Sequence, residues 1–284
     1  MNILTFDIED WFHILDCDVT RASLDWAKFK PRIYENVDRL LGLLEEKGQK
    51  ATFFCLGWIA DNHPEVIRKI VAGGYEIATH SYEHQLVYEQ TPEEFRVDLM
   101  RSITTLEDLS GQKIRCYRAP GFSITAGNTW AFDILGECGI EIDCSVFPAS
   151  RAHGGFPEYG AAQPAVIQQN GTSLKALPLN VARVFGRDVV FSGGGYFRLF
   201  PYRFIRSLMR RAPYVMTYFH PRDFDPDQPI LEGLPRYRRF KSYCGLGGSY
   251  AKLSRLLDEF EFVDAGTFDE NMDWGAVPVV QLAG

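Results

Sequence analysis

Two histidines and a knot of carboxylates are the first candidates for chemistry. In "EIATHSYEHQ" His80 and His84 stand four positions apart at the end of an apolar run, in a chain with only six histidines. Neutral imidazoles suit zinc and related divalent cations, and a spacing of four lets two rings face one ion across a helical turn. A structural site needs four protein ligands, whereas a catalytic one needs three and an open position. The stretch "TFDIEDW" places Asp7, Glu9 and Asp10 within four residues, where they repel one another unless a cation or partner relieves them. One carboxylate from this cluster would complete a three-ligand catalytic site. The plain alternatives are a solvated acidic loop or helix cap, and two histidines on an exposed turn.

Three further residues fit the same chemistry. Arg118 in "YRAPGF" is able to hold a carboxylate ionised through a bidentate contact, or to serve as a surface charge. His220 in "MTYFHP" is a candidate general acid, because an imidazole titrates near neutrality; a lone histidine at a strand end is more often packed and hydrogen-bonded. Asp143 in "EIDCS" either orients His220 or caps a turn. The glycines of "FSGGGYF", Gly193 to Gly195, permit close backbone approach to a ligand or form a plain turn; without a neighbouring Lys and Ser/Thr they are no phosphate cradle.

These residues need a scaffold that brings them together. "NILTF", "ATFFCLG", "YEIAT", "IRCYR", "IEID", "LKALPLNV", "YVMTYF" and "FEFVDA" read as strands. Helical apolar spacing separates most of them: Ile33 to Leu44, Val66 to Val71, Phe95 to Leu106 behind a Thr91–Pro92 start, and stretches near 128–138, 201–211 and 249–260. A looser Gly- and Pro-rich segment covers about 148–172. Strand–helix alternation predicts a parallel sheet covered by helices. The candidate residues all fall just after strands, which favours a β/α barrel whose strand ends converge on one mouth. No internal repeat, low-complexity tract or linker divides the chain, so residues 1–284 are expected to form one domain, with a distinct C-terminal portion at about 222–284.

Bulk properties exclude several classes. A formal charge of −7 leaves no basic excess for a nucleic-acid phosphate backbone. Six scattered cysteines without CxxC pairing suggest reduced thiols. No run of eighteen apolar residues predicts a membrane span, and the N-terminus lacks a signal-peptide pattern, so a cytoplasmic protein is expected.

In order, "TFDIED", "HSYEH", "RAPG", "IDCS" and "TYFHP" resemble the five motifs of the NodB-homology polysaccharide deacetylases. The C-terminal part and "GGGYFRLFPY" look like the branch found with bacterial exopolysaccharide and exosortase systems. The resemblance implies a distorted (β/α) barrel of about seven strands and a hydrolase that removes N-acetyl groups from a sugar or polysaccharide with a divalent metal, usually zinc. It implies that His80 and His84 bind the metal with Glu9 or Asp10, that Asp7 is the general base paired with Arg118, and that His220 is the general acid tuned by Asp143. The family's TFDD is expanded here by Ile8 and Glu9, and its RxPY becomes "RAPG". Gly121 therefore replaces the family's aromatic, Phe122 is the candidate to take over its place, and the Gly121 N–H is the candidate oxyanion donor. Trp11, Phe12, Tyr196 and Phe197 are aromatic candidates for stacking on a sugar ring, with Gly121 and Phe122 on the substrate side of the pocket. Two other readings are an allantoinase-like cyclic amide hydrolase on the same fold and a non-catalytic carbohydrate-binding protein.

Overall fold

The computed structural model describes residues 1–15, 17–20, 23–150, 153–160, 162–184 and 186–282. Its main sheet has eight strands in the spatial order Thr5–Ile8, Thr52–Cys55, Glu76–Thr79, Cys116–Tyr117, Ile142–Asp143, Thr172–Ala176, Ala165–Gln169, Val279–Gln281. Every neighbouring pair is parallel except Ala165–Gln169 with Thr172–Ala176. Strands such as "TFDI" and "TFFC" are buried along their whole length, as expected of parallel strands covered on both faces.

A second parallel sheet closes the structure. Asn2–Ile3 lies between Val215–Met216 and Phe262–Val263, and a bridge pairs Phe6 with Phe219. The strand that leads to His220 thus runs beside the strand that carries Asp7. Between the Thr172–Ala176 and Val215–Met216 strands a side chain does part of the pairing. Asn180 donates from Nδ2 to the Tyr214 carbonyl and accepts the Met216 N–H at 2.6 Å. The result is the expected distorted α/β barrel.

The helices cover the sheet with the apolar stripes read from the sequence. Ile33–Lys47 buries Ile33, Val37, Leu40, Leu43 and Leu44, and stops at Gly48, whose φ of 61° suits glycine. Pro92–Ser110 begins with a capping box in which Thr91 and Glu94 satisfy each other's backbone N–H groups.

The structure adds elements that the sequence reading does not contain. The stretch near 148–172 holds a strand, Ala165–Gln169, turned back on Thr172–Ala176 through Asn170 (φ 46°) and Gly171 (φ 89°). Asn-Gly is the preferred pair for such a two-residue turn. Gly193 answers a packing demand: a Cβ there would lie 1.9 Å from the Tyr218 carbonyl oxygen.

Candidate functional site

The strand ends meet as expected. A cavity of about 280 Å³ is lined by Asp7, Glu9, His80, His84, Gly121, Phe122, Tyr196 and His220, together with Asp223, Arg222 and other residues of the second half of the chain.

The two histidines reach it on a loop, not on a helical turn. His80 follows the strand Glu76–Thr79, and both Ser81 (φ 68°) and His84 (φ 55°) hold left-handed backbone conformations. Such conformations cost on the order of 1–3 kcal/mol each and persist where the surroundings over-determine them. Here the surroundings do: Asp98 accepts the Tyr82 and Glu83 N–H groups, and the Gly57 N–H and Ser102 hydroxyl donate to the Ser81 carbonyl. The loop brings the two ring centroids to 5.2 Å.

Glu9, His80 and His84 are buried and aim ligand atoms at one point. Glu9 Oε1 lies 3.2 Å from His80 Nε2 and 3.0 Å from His84 Nε2. These separations approximate the edge of a tetrahedron with bonds of about 2 Å, roughly 3.3 Å. Nδ1 of His80 is 2.7 Å from the Arg118 carbonyl, which only accepts, so Nδ1 carries the proton. With Nδ1 turned to that carbonyl, Nε2 is the nitrogen left to bind a cation shared with the Glu9 carboxylate. Burial would raise the Glu9 pKa, but His84, His220 and His80 hold it well below the ordinary range, so Glu9 is an anion. The donor set fits a divalent cation.

Asp10, the alternative ligand, does other work. Its carboxylate accepts the N–H groups of Trp11 (2.7 Å), Arg32 (2.9 Å) and Ile33 (3.1 Å). It therefore caps the helix Ile33–Lys47, whose own N-cap residue Arg32 supplies no side-chain acceptor. Asp10→Ala is expected to cost about 2 kcal/mol of stability by leaving these donors unpaired, while metal bound per folded molecule stays unchanged. Denaturant titration alongside metal analysis checks both halves.

Asp7 sits beside the triad, fully ion-paired on one side. Arg118, with no solvent exposure, donates from Nη1 to Asp7 Oδ1 at 2.6 Å and to Thr5 Oγ1 at 2.7 Å. Asp7 Oδ2 faces His220 Nε2 at 3.9 Å, and His220 Nε2 lies 3.7 Å from Glu9 Oε1.

Asp143 does not orient His220. It accepts the Ser145 N–H at 3.1 Å at the end of its strand, and burial first of all pushes its pKa up to about 6. The partner of His220 is Asp223, three residues on, whose Oδ2 is 3.0 Å from Nδ1 and also accepts the His220 N–H. Burial would lower the His220 pKa, yet Glu9, Asp223 and Asp7 outweigh it and raise the value to about 9. Asp223 is held low in turn, against its own burial, by Arg198 and His220; Arg198 Nε lies 3.0 Å from its Oδ1. The sequence contained this pairing as "HPRD", an acid one short turn after the histidine.

Among the substrate-side candidates the outcome is mixed. Gly121 (φ 61°) and Phe122 (φ 55°) line the cavity, and a Cβ on Gly121 would come within 2.9 Å of Leu15 and Leu86. Tyr196 lines it as well. Trp11 does not: it is buried against Phe12 and Phe29, with its indole N–H donated to the Lys30 carbonyl. His13, which the sequence did not single out, borders the cavity instead. Its Nδ1 accepts the Asp10 N–H at 3.0 Å, which fixes the turn after Glu9.

The structure is a distorted β/α barrel with a carboxylate–imidazole cluster at one rim and Asp7 and His220 beside it. Residues 18–140 match the profile of the polysaccharide deacetylase family, and residues 144–269 match a domain of unknown function, DUF3473. The stretch 18–140 is thus similar to polysaccharide deacetylase domains. The peptidoglycan-N-acetylglucosamine deacetylase of Bacillus cereus is 29% identical over 86 residues, which are 30% of this chain and 31% of that protein. The chain thus spans about a third of that curated relative. Among solved structures, one assigned to the polysaccharide deacetylases of Mycobacterium smegmatis superposes with a TM-score of 0.66 at 22% identity, covering 97% of this chain and 91% of the other. A CE4-family pseudoenzyme from Bacillus anthracis superposes with a TM-score of 0.52 at 14% identity, covering 100% of this chain and 69% of its own. The fold is thus compatible with activity and with its loss, and activity has to be argued from the site.

Proposed function

We propose that the protein is a metal-dependent hydrolase that removes N-acetyl groups from a sugar of a cell-surface or exported polysaccharide. The observation that carries this reading is the convergence of Glu9, His80 and His84 on one point, 3.0 and 3.2 Å apart, beside an acid–base pair, Asp7 and His220. A divalent cation held by the triad, with zinc best suited to two imidazoles and one carboxylate, supplies Lewis-acid polarisation of the acetyl carbonyl and a lowered pKa for water.

The side chains divide the proton transfers. Asp7, its Oδ1 occupied by Arg118, has Oδ2 left to take a proton from the attacking water. His220, kept protonated by the surrounding carboxylates, donates from Nε2 to the departing amine, without which a C–N bond cleaves poorly. Asp223 fixes the ring so that Nε2 faces the cavity. Phe122 and Tyr196 form apolar wall against which a sugar ring can rest.

Acetate release from an N-acetylated oligosaccharide tests the reading directly. Activity is expected with zinc restored after chelation and absent in the chelated protein. Full activity in metal-free protein would favour the cyclic-amide hydrolase reading, and binding without turnover a carbohydrate-binding role.

A further inference from the structure

The cavity's outer wall carries more positive charge than its carboxylates use. Residues 198–241 hold ten arginines and lysines against four carboxylates, in a chain whose overall charge is −7. Four of these cations, Arg198, Arg222, Arg238 and Lys241, line the cavity, where the carboxylates among the described residues are Asp7, Glu9 and Asp223.

Each carboxylate is already matched. Asp7 has Arg118, Glu9 has the two imidazoles, and Asp223 has His220 and Arg198. Arg198 is further occupied by the carbonyls of Lys241, Ser242 and Cys244, which fixes the end of the helix Arg236–Tyr243 over the mouth. Arg238 is engaged with His153. Two cations remain over. Arg222 bonds Gln228 through Nε and lies in the field of Asp223, but its buried Nη2 has no hydrogen-bond partner among the described residues. The Lys241 ammonium forms no hydrogen bond or ion pair among the described residues and only faces the rings of Tyr196 and Tyr237, at 5.9 and 5.5 Å.

The helix that brings Lys241 here buries none of its residues, so core packing does not explain it. Of its four cations, Arg236 and Arg239 are exposed, and the two that line the cavity are half-buried. Leaving a guanidinium nitrogen buried and unpaired costs free energy, which an incoming oxyanion would recover.

We infer that Arg222 and Lys241 form an anion subsite, and that the N-acetylated substrate carries a phosphate or carboxylate group next to the acetamido sugar. This rests on the deacetylase reading and narrows its substrate. Neutral chitin-like oligosaccharides would leave both cations unmatched.

The test compares matched substrates on the zinc-loaded full chain at low salt. N-acetylglucosamine 1-phosphate is set against methyl N-acetylglucosaminide, and a uronate-containing N-acetylated tetrasaccharide against chitotetraose. One charge-assisted contact corresponds to roughly a tenfold preference in kcat/KM for the anionic member, and that preference is expected in one pair, naming phosphate or carboxylate as the group. It should fall towards one in Lys241→Met and in Arg222→Gln, and weaken in 0.5 M salt as a charge contact does (about 0.5 M lies well above the screening range of physiological salt). Calorimetric titration with inorganic phosphate and with glucuronate, which needs no turnover, should show at least one of them binding about tenfold more weakly to Lys241→Met. Equal rates within both pairs together with unchanged calorimetry in the variant overturn the anion subsite while leaving the deacetylase reading intact. No acetate from any substrate overturns the deacetylase reading, and the calorimetry then still decides whether the anion subsite exists.

Discussion

Asp7→Asn is expected to keep its bound cation and lose turnover, whereas His80→Ala is expected to lose both. The two residues lie within one cavity, but their partners separate their roles. Asparagine at position 7 still offers an oxygen to Arg118, so the buried guanidinium keeps a partner and the fold survives. The missing function is proton acceptance at Oδ2, and removing a general base lowers kcat by about 10²–10⁴-fold. His80 instead contributes a lone pair fixed by the Arg118 carbonyl. Weakening an outer partner of a metal ligand costs roughly 10–100-fold in affinity, so deleting the ligand itself should exceed that. Metal analysis of the purified variants, followed by initial rates with zinc in excess, separates the outcomes. Cation lost from Asp7→Asn, or retained at wild-type affinity by His80→Ala, would reverse the assignment. Arg118 is the less useful position to mutate, because losing it strands a buried carboxylate at a cost of about 3–5 kcal/mol and confuses stability with chemistry.

The parts of this site legible in the sequence were those with a local signal. Strand ends could be read because apolar runs stop abruptly at Asp7, His80, Arg118, Asp143 and His220, and a parallel sheet gathers such ends on one side. What could not be read was which partner each polar group would take across the fold. Asp10 and Glu9 are neighbours with the same chemistry, yet one faces two imidazoles and the other the start of a helix 22 residues later. Nothing local distinguishes them, since the choice is made by where the helix Ile33–Lys47 packs. Asp143 follows the same logic: of its two readings, tuner of His220 or cap of a turn, the fold takes the second, because a closer acid lies three residues beyond the histidine. The missed hairpin at Asn170–Gly171 is a different kind of error, because its turn signal was present and was submerged in a glycine-rich stretch.

That closer acid leads to the second large effect, which is read on a pH axis. His220→Asn should lower N-deacetylation by about 10²–10⁴-fold, the usual worth of a general acid. The same variant should be much less impaired on 4-nitrophenyl acetate, whose leaving group departs without a proton. A loss equal on both substrates would mean that His220 only supports the structure. Asp223→Asn leaves the imidazole in place and removes a negative charge 3.0 Å from Nδ1. Burial pulls the His220 pKa down, and Glu9, Asp223 and Asp7 raise it to about 9. Without the Asp223 charge the imidazolium is less stabilised, its pKa falls, and the alkaline limb of the rate profile moves to lower pH. An adjacent opposite charge is worth about 1–3 pKa units, so a displacement of about one unit is expected. A cation on Glu9 offsets that carboxylate's share equally in both proteins, so the comparison is made with the same metal bound. The folded state should respond in the same sense. A histidine raised above its unfolded pKa adds stability that is complete below about 6.5 and fades as pH rises through about 9. In Asp223→Asn that fading should be displaced to lower pH with the kinetic limb, whereas an unmoved limb would remove Asp223 from the acid's control.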